Sequence, residues 1–282
     1  MGELLDWTTE RFADLGIDEA RTDAQHLLSF ALGCSRMDLY LRHNELVESD
    51  RRARFRDLVK RRLAREPVAY IEGRRGFHAL DLDLKVDRRV LVPRPDTELL
   101  VDWVLESLRP APAPVARILD VGTGSGAIAL ALSRARDDVR VWASDISEEA
   151  LSVARSNAQG AALEVEFVQA DLGEGVPVPE GGFDVVVANL PYIPSADLDG
   201  LQPEVRDYEP RLALDGGPDG LDLVRRLVEQ SEGLLGARGQ LFLEFGIGQA
   251  PAVRELLQAA GFTVELRDDL GGVTRAARAT RG

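Results

Sequence analysis

The chain of 282 residues has one cysteine, two methionines, two lysines and three histidines. Each scarcity removes a class of chemistry. Cys34 has no second cysteine with which to close an internal disulfide, and Cys34, His26, His43 and His78 are too scattered to give a zinc-ligand spacing. No apolar run approaches the roughly 18 residues needed to span a bilayer. Met1 to Gly16 interleaves Glu, Asp and Arg with apolar residues instead of forming a signal-peptide core. A cytoplasmic protein with no membrane partner and no metal is expected. The formal net charge of -14 repels phosphate backbones, so no direct nucleic-acid substrate is expected either.

What is present is a chain long enough, at 45% hydrophobic, to bury a sizeable core and to divide into two domains. The charge is unevenly placed. Residues 1–50 carry 4 basic and 11 acidic groups, residues 51–75 carry 10 and 3, and residues 76–282 carry 20 and 34. Ala20, Ala24, Leu27, Leu28 and Ala31 form the stripe of an amphipathic helix, with Gly33 where such a helix ends. Ser49 is placed to cap a second helix, with Phe55, Leu58, Val59 and Leu63 on one face and arginines covering the other until Pro67. Those arginines suit either a solvated face or a docking surface for an acidic partner.

From Phe77 the period changes to two. Leu80, Leu82, Leu84 and Val86 alternate with Asp81, Asp83 and Lys85, as in a half-buried hairpin joining two domains. Asp96 is placed to cap a helix that buries Leu99, Leu100, Trp103 and Val104, and Arg109 to Pro114 reads as a proline-rich connector. Short apolar runs follow at 117–121, 139–144, 163–169, 183–188 and 240–245, most of them separated by helical patterns. Two further strands are expected at 262–266 and 273–277. This is a parallel α/β sheet with helices on both faces.

Two turns carry the chemistry. Ile118 to Gly126 ends the first strand in Gly122-Thr123-Gly124-Ser125-Gly126, a GxGxG spacing that lets a ligand approach the backbone but is not the GxGxxG dinucleotide fingerprint. Asp145, 19 residues beyond Gly126 at the end of the next strand, is placed to accept hydrogen bonds from a ribose diol. Asp171 ends the third strand, either as a helix cap or beside an adenine amino group. The fourth strand runs into Asn189-Leu190-Pro191-Tyr192, which sets an amide, backbone carbonyls and an aromatic ring beside the nucleoside pocket. A planar NH2 group is a poor nucleophile until its hydrogens are held. The Asn189 oxygen and the Leu190 carbonyl can each accept one, while Tyr192 packs on the flat group.

Taken together these residues resemble the class I S-adenosylmethionine-dependent methyltransferases, specifically the HemK/PrmC type that methylates a glutamine side-chain nitrogen in peptide chain release factors. The specific parts are Arg65 to Ile71 with Gly73, Leu91 to Glu98, Ile118 to Gly126, Asn189 to Ile193, and Tyr208-Glu209-Pro210 with Ala213, Leu214, Gly216, Gly217, Gly220 and Leu221. The resemblance implies a Rossmann-like methyltransferase sheet over 93–282, a small helical substrate-recognition domain over 1–72 and a connecting hairpin over 73–92. It also implies S-adenosyl-L-methionine held by Gly122, Thr123, Gly124, Ser125, Gly126, Asp145, Asp171, Leu172 and Asn189. The release-factor glutamine would be gripped by Asn189, Leu190, Pro191 and Tyr192, with Asn189 and Tyr192 as the catalytic pair. One departure is Leu190, where the family's commonest form has proline; its carbonyl is expected to keep the same bond. The rival enzyme is an adenine N6-methyltransferase acting on RNA or DNA, whose target amine makes the same demands on Asn189 and Tyr192. Residues 76–282 sum to -14, against the basic channel such an enzyme needs.

Overall fold

A computed structural model describes residues 1–78, 82–108 and 115–281. These form two compact units, one of Met1–Arg74 with Gln202–Tyr208, the other of Arg75–Leu201 with Glu209–Gly282.

The first unit holds α1 (Gly2–Asp14), α2 (Ala20–Leu32), α3 (Arg36–Leu41), α4 (Ser49–Leu63) and α5 (Val68–Glu72). Its core joins Phe12, Leu27, Leu28 and Phe55, the apolar stripe of α2 meeting that of α4. Gly33 ends α2 in a left-handed conformation at φ 66°, as its position in the sequence suggests. Ser49 does not cap α4. It is the first helical residue, and its hydroxyl donates to the Asp50 carboxylate instead.

The arginines of α4 and the turn after it are neither uniformly solvated nor uniformly available. Arg62 is buried and donates to Asp23 at 2.7 Å and to Glu204 at 2.8 Å. Arg65, in the left-handed region at φ 69°, reaches Glu204 at 2.5 Å and the Leu15 and Gly16 carbonyls. Arg61 is held by Glu66 at 2.6 Å. Glu204 lies in a later short helix of this unit, and its neighbours Gln202 and Tyr208 bond to Asp18 and to the Ala64 carbonyl. The chain thus returns to this unit at Gln202–Tyr208. Arg52, Arg56 and Lys60 instead line a cavity of about 620 Å³ with Trp7, Leu46 and Phe55.

The second unit opens with the hairpin strands β1 (Arg74–Phe77, its first residue shared with the boundary) and β2 (Leu82–Lys85). Leu80, Asp81 and the connector Arg109 to Pro114 fall outside the described residues. There follow α6 (Glu98–Ser107), β3 (Ala116–Val121), α7 (Ala127–Ala135), β4 (Val139–Asp145), α8 (Glu148–Ala161), β5 (Glu166–Gln169) and β6 (Phe183–Asn189). The helix α9 (Pro203–Arg206), which carries Glu204, belongs to the first unit, and α10 (Asp222–Leu234), β7 (Leu235–Glu244), α11 (Ala250–Ala259), β8 (Thr263–Asp268) and β9 (Thr274–Thr280) complete the second.

Among the described residues the larger sheet runs β5-β4-β3-β6-β7-β9-β8. The pairings from β5 to β7 are parallel, and β9 is antiparallel to both of its neighbours. The strands distribute alternate residues to two apolar layers, as a period of two requires. Val186, Ala188, Leu241 and Leu243 join Leu227 of α10 and Leu257 of α11. Val185, Val187 and Phe242 join Leu100 of α6 and Leu130 of α7. Helices therefore cover both faces. This places the β3 and β6 carboxyl ends side by side at the centre of the sheet, where the order of strands reverses and α/β proteins bind ligands. No helix among the described residues is long and apolar enough to cross a membrane.

Candidate active site

The glycine turn leaves β3 with Gly122 at φ 73°, Gly124 at φ 55° and Gly126 at φ 86°. Three left-handed residues in five make glycine the only comfortable choice. The turn is fastened from below. Asp120 is buried, its Oδ2 accepting from the Thr123 hydroxyl at 2.7 Å and the Ala129 N–H at 3.1 Å, and burial pushes its carboxyl up to about 7. Asp145 fastens it from the side, accepting the Gly124 N–H and the Ser147 N–H, each at 2.9 Å. Burial raises its pKa against the pull of those bonds. Asn157 of α8 donates to the Ser125 carbonyl and exchanges two bonds with the backbone of Lys85, tying turn, helix and hairpin together.

The second turn leaves β6 at Asn189, whose register partner on β7 is Glu244. The Asn189 NH2 donates to the Thr97 hydroxyl at 2.9 Å, which leaves the acceptor oxygen of the amide for another partner. Leu190 is buried in the core, and its side chain passes 3.1 Å from where a Cβ on Gly122 would lie. Its role is thus not confined to its carbonyl, because it also fills space beneath the glycine turn. Tyr192 is half-buried, with the Arg275 guanidinium 5.6 Å from its ring centroid and 3.4 Å from its hydroxyl. Burial, then the nearby Glu244 charge, raises its pKa. The segment 213–221 wraps this turn, the Ile193 N–H meeting the Leu214 carbonyl and the Gly216 N–H meeting the Ile193 carbonyl. A Cβ on Gly216 would fall 2.6 Å from the Pro191 carbonyl oxygen, which explains glycine there.

A cavity of about 290 Å³ joins the two turns. Of the residues expected from sequence, Gly122, Gly124, Asp145, Asp171, Leu172, Asn189, Leu190 and Pro191 line it. Thr123, Ser125, Gly126 and Tyr192 do not. Thr123 and Ser125 are buried beneath the turn, and Gly126 opens α7 against Leu130 and Ala154. Asp171 neither caps a helix nor stands free, since it pairs with Arg226 at 2.8 Å. Leu172 holds φ 57°, unusual for a residue with a side chain, and its carbonyl accepts from the Ser144 hydroxyl.

The residues behind the site are not apparent from the sequence pattern. The motif Leu91 to Glu98 supplies four. Arg94 pairs with Glu209, Asp96 with Arg275 at 3.6 Å, Thr97 with Asn189, and Glu98 accepts the His78 N–H. Asp96 therefore ion-pairs instead of capping α6, which is entered through a 3-10 turn at Pro95–Thr97. Glu244 is the fifth. An acid within the otherwise apolar run Leu241 to Phe245 was the signal available for it.

A family model described as the PrmC N-terminal domain matches residues 3–73, and one described as a methyltransferase domain matches residues 118–208. The release factor glutamine methyltransferase of Geobacter sulfurreducens is 43% identical over 260 residues, covering 92% of this chain and 89% of its own. That of Deinococcus radiodurans is 42% identical over 279 residues, covering 99% and 98%. The chain belongs to the release factor glutamine methyltransferase family. A solved Pyrococcus furiosus methyltransferase shares the fold, with a TM-score of 0.53 at 20% identity over 83% of this chain and all of that one. Membership in the release factor glutamine methyltransferase family bears out the resemblance drawn from the five motifs. It makes the chain a methyltransferase, with the Rossmann-like sheet and the small helical domain expected.

Proposed function

We propose that this chain methylates N5 of the glutamine in the Gly-Gly-Gln motif of peptide chain release factors, in the cytoplasm, with S-adenosyl-L-methionine as donor. The observation that carries this reading is the meeting of the Asn189 turn and the Gly122–Gly124 turn on one cavity. The donor set suits that cofactor. Asp145 offers acceptor oxygens for a ribose diol, left-handed glycines let the backbone come close, and Ile146, Leu172 and Leu223 give apolar walls for a flat base. Thr123, Ser125 and Gly126 would serve by shaping the turn, and Asp171 by its edge of the wall.

When bound there, S-adenosylmethionine supplies an electrophilic methyl group. The protein's part is to present a nucleophile. An amide nitrogen shares its lone pair with its carbonyl, so aiming it matters more than deprotonating it beforehand. The Asn189 side-chain oxygen accepts one amide hydrogen and the Leu190 carbonyl the other, which fixes the nitrogen in line with the methyl group. Tyr192 stiffens the turn from behind, under Arg275. As the new N–C bond forms, the methyl–sulfur bond would break and S-adenosylhomocysteine would leave as a neutral thioether, while the nitrogen, now acidic, would give one of its two held protons to water.

The N-terminal helices would recognise the release factor, with Arg52, Arg56 and Lys60 meeting its acidic surface. An adenine amine would fit the same clamp, but the -14 balance of residues 76–282 opposes a nucleic-acid strand. Incubation with labelled S-adenosylmethionine, recombinant release factors and RNA or DNA, followed by mass mapping, separates these readings. Label on the Gly-Gly-Gln glutamine is expected. Label on adenine alone would overturn the assignment.

A further inference from the structure

Glu244 is 2% exposed, and neither of its carboxylate oxygens closes a hydrogen bond of regular geometry. It lies at the end of β7, in register beside Asn189. Thr97 reaches it from the turn before α6, Asp96 from that same turn, Arg275 from β9, and Tyr192 from beyond Asn189. Arg275 is the cation of the group, and it is already engaged with Asp96 and the Tyr192 hydroxyl. Thr97 and Asn189 lie near enough to favour the charged form of Glu244, while burial, the largest influence, pushes its carboxyl up to about 7. A buried acid in this state is costly to a fold, a cost that functional groups commonly carry.

We propose that Glu244 and Thr97 are positioning residues that decide which end of the Asn189 amide faces the substrate. The inference rests on the reading of Asn189 as an acceptor for the glutamine amide. A threonine hydroxyl has one hydrogen and two lone pairs, so alone it can accept from the Asn189 NH2 or donate to the Asn189 oxygen. The two amide orientations would then compete. An ionised carboxylate on the other side of Thr97 accepts only. It takes the hydroxyl hydrogen, turns a lone pair of Thr97 toward Asn189, and so calls for the NH2 at that position, as observed at 2.9 Å. The Asn189 oxygen is left to the substrate, whose amide nitrogen brings only hydrogens. When Glu244 is protonated it can donate to Thr97, and the hydroxyl hydrogen is free to meet the Asn189 oxygen. That turns the wrong end of the amide outward, so transfer weakens as Glu244 gains its proton.

The test is single-turnover methyl transfer to a recombinant release factor at saturating S-adenosylmethionine, from about pH 5.5 to about pH 9. The full-length wild type is compared with Glu244→Gln, Thr97→Val, Thr97→Ser and Asn189→Ala, and cofactor affinity is measured separately by calorimetry. The wild-type rate should rise through pH about 7. Glu244→Gln, whose amide imposes no preference on Thr97, should be slower by on the order of tenfold or more and lose that rise. Asp120, pushed to the same range, remains in every variant, so the lost rise belongs to Glu244. Thr97→Val should be similarly slow and Thr97→Ser close to wild type, a comparison that leaves the carboxylate in place. Cofactor affinity should be unchanged throughout. Wild-type rates and pH profiles for Glu244→Gln and Thr97→Val, with Asn189→Ala slow, would overturn the positioning role and leave the clamp standing. A wild-type rate for Asn189→Ala would instead remove the clamp on which it rests. Parallel loss of cofactor affinity and rate in Thr97→Val would mark a structural role only, and also overturn the proposal.

Discussion

The Arg94 guanidinium donates to both carboxylate oxygens of Glu209 at 2.8 Å, joining two motifs 115 positions apart. The pair is asymmetric, because the Glu209 side chain is 1% exposed and that of Arg94 36%. Burial raises the Glu209 pKa even with the guanidinium beside it.

Removing Arg94 strands a buried acid, whereas removing the acid strands a cation that water can reach. We therefore expect Arg94→Met to destabilise the protein by about 3 kcal/mol and Glu209→Gln by about 1 kcal/mol. Urea unfolding of the two variants checks the order. Equal costs would mean that the pair is solvated from both sides.

Asp145 should matter to cofactor affinity in two ways, through its own oxygens and through the Gly124 and Ser147 N–H groups that it holds. Asp145→Ala is expected to weaken S-adenosylmethionine and S-adenosylhomocysteine by about 1.5–3 kcal/mol, roughly one to two decades. Asp145→Asn keeps an acceptor and should lose less. Calorimetry that finds a folded Asp145→Ala protein binding both as tightly as wild type would contradict the ribose assignment.

Asp120 gives stability a pH dependence of known sign. Its pKa is raised in the folded state, from an ordinary value of 3.8 to about 7, with burial as the main cause. Its stabilising contribution is therefore complete below about pH 4 and is lost as pH rises through about 7. Relative to Asp120→Asn, which is neutral throughout, the wild type should lose stability between about pH 4 and about pH 7, by a few kcal/mol on the order of the shift, and level off above that. Glu244 acts with the same sign but is present in both proteins. Parallel stability profiles would show that Asp120 stays ionised.

Much of this arrangement was legible in the sequence because it depends on short-range pattern. Strands expected at 139–144 and 183–188 end one residue later than expected, and the observed strands over 263–268 and 274–280 lie where the last two were expected. The strand expected at 163–169 is shorter, beginning at Glu166. Three glycines in five residues disclosed a turn because φ above zero leaves few alternatives. What was illegible depends on pairing across long separations. The basic stretch 51–75 read as one surface, yet Arg62 and Arg65 are committed to Glu204, 142 and 139 positions away. Thr97 and Glu244 looked ordinary because a hydroxyl in a helix-entry motif and an acid ending a strand have common structural roles. The register of β6 on β7 brings Glu244 beside Asn189, and the turn before α6 brings Thr97 to it.

The most direct test of the amide clamp is single-turnover methyl transfer to a release factor by wild type and Asn189→Ala, with cofactor occupancy measured alongside. Asn189→Ala should keep its fold and much of its cofactor affinity but lose on the order of 10² or more in transfer rate, since positioning is the principal contribution. Leu190→Pro keeps the carbonyl and should remain active, although it gives up a side chain buried beside Gly122 and should unfold more easily. Transfer to glutamine by Asn189→Ala at the wild-type rate would contradict the clamp.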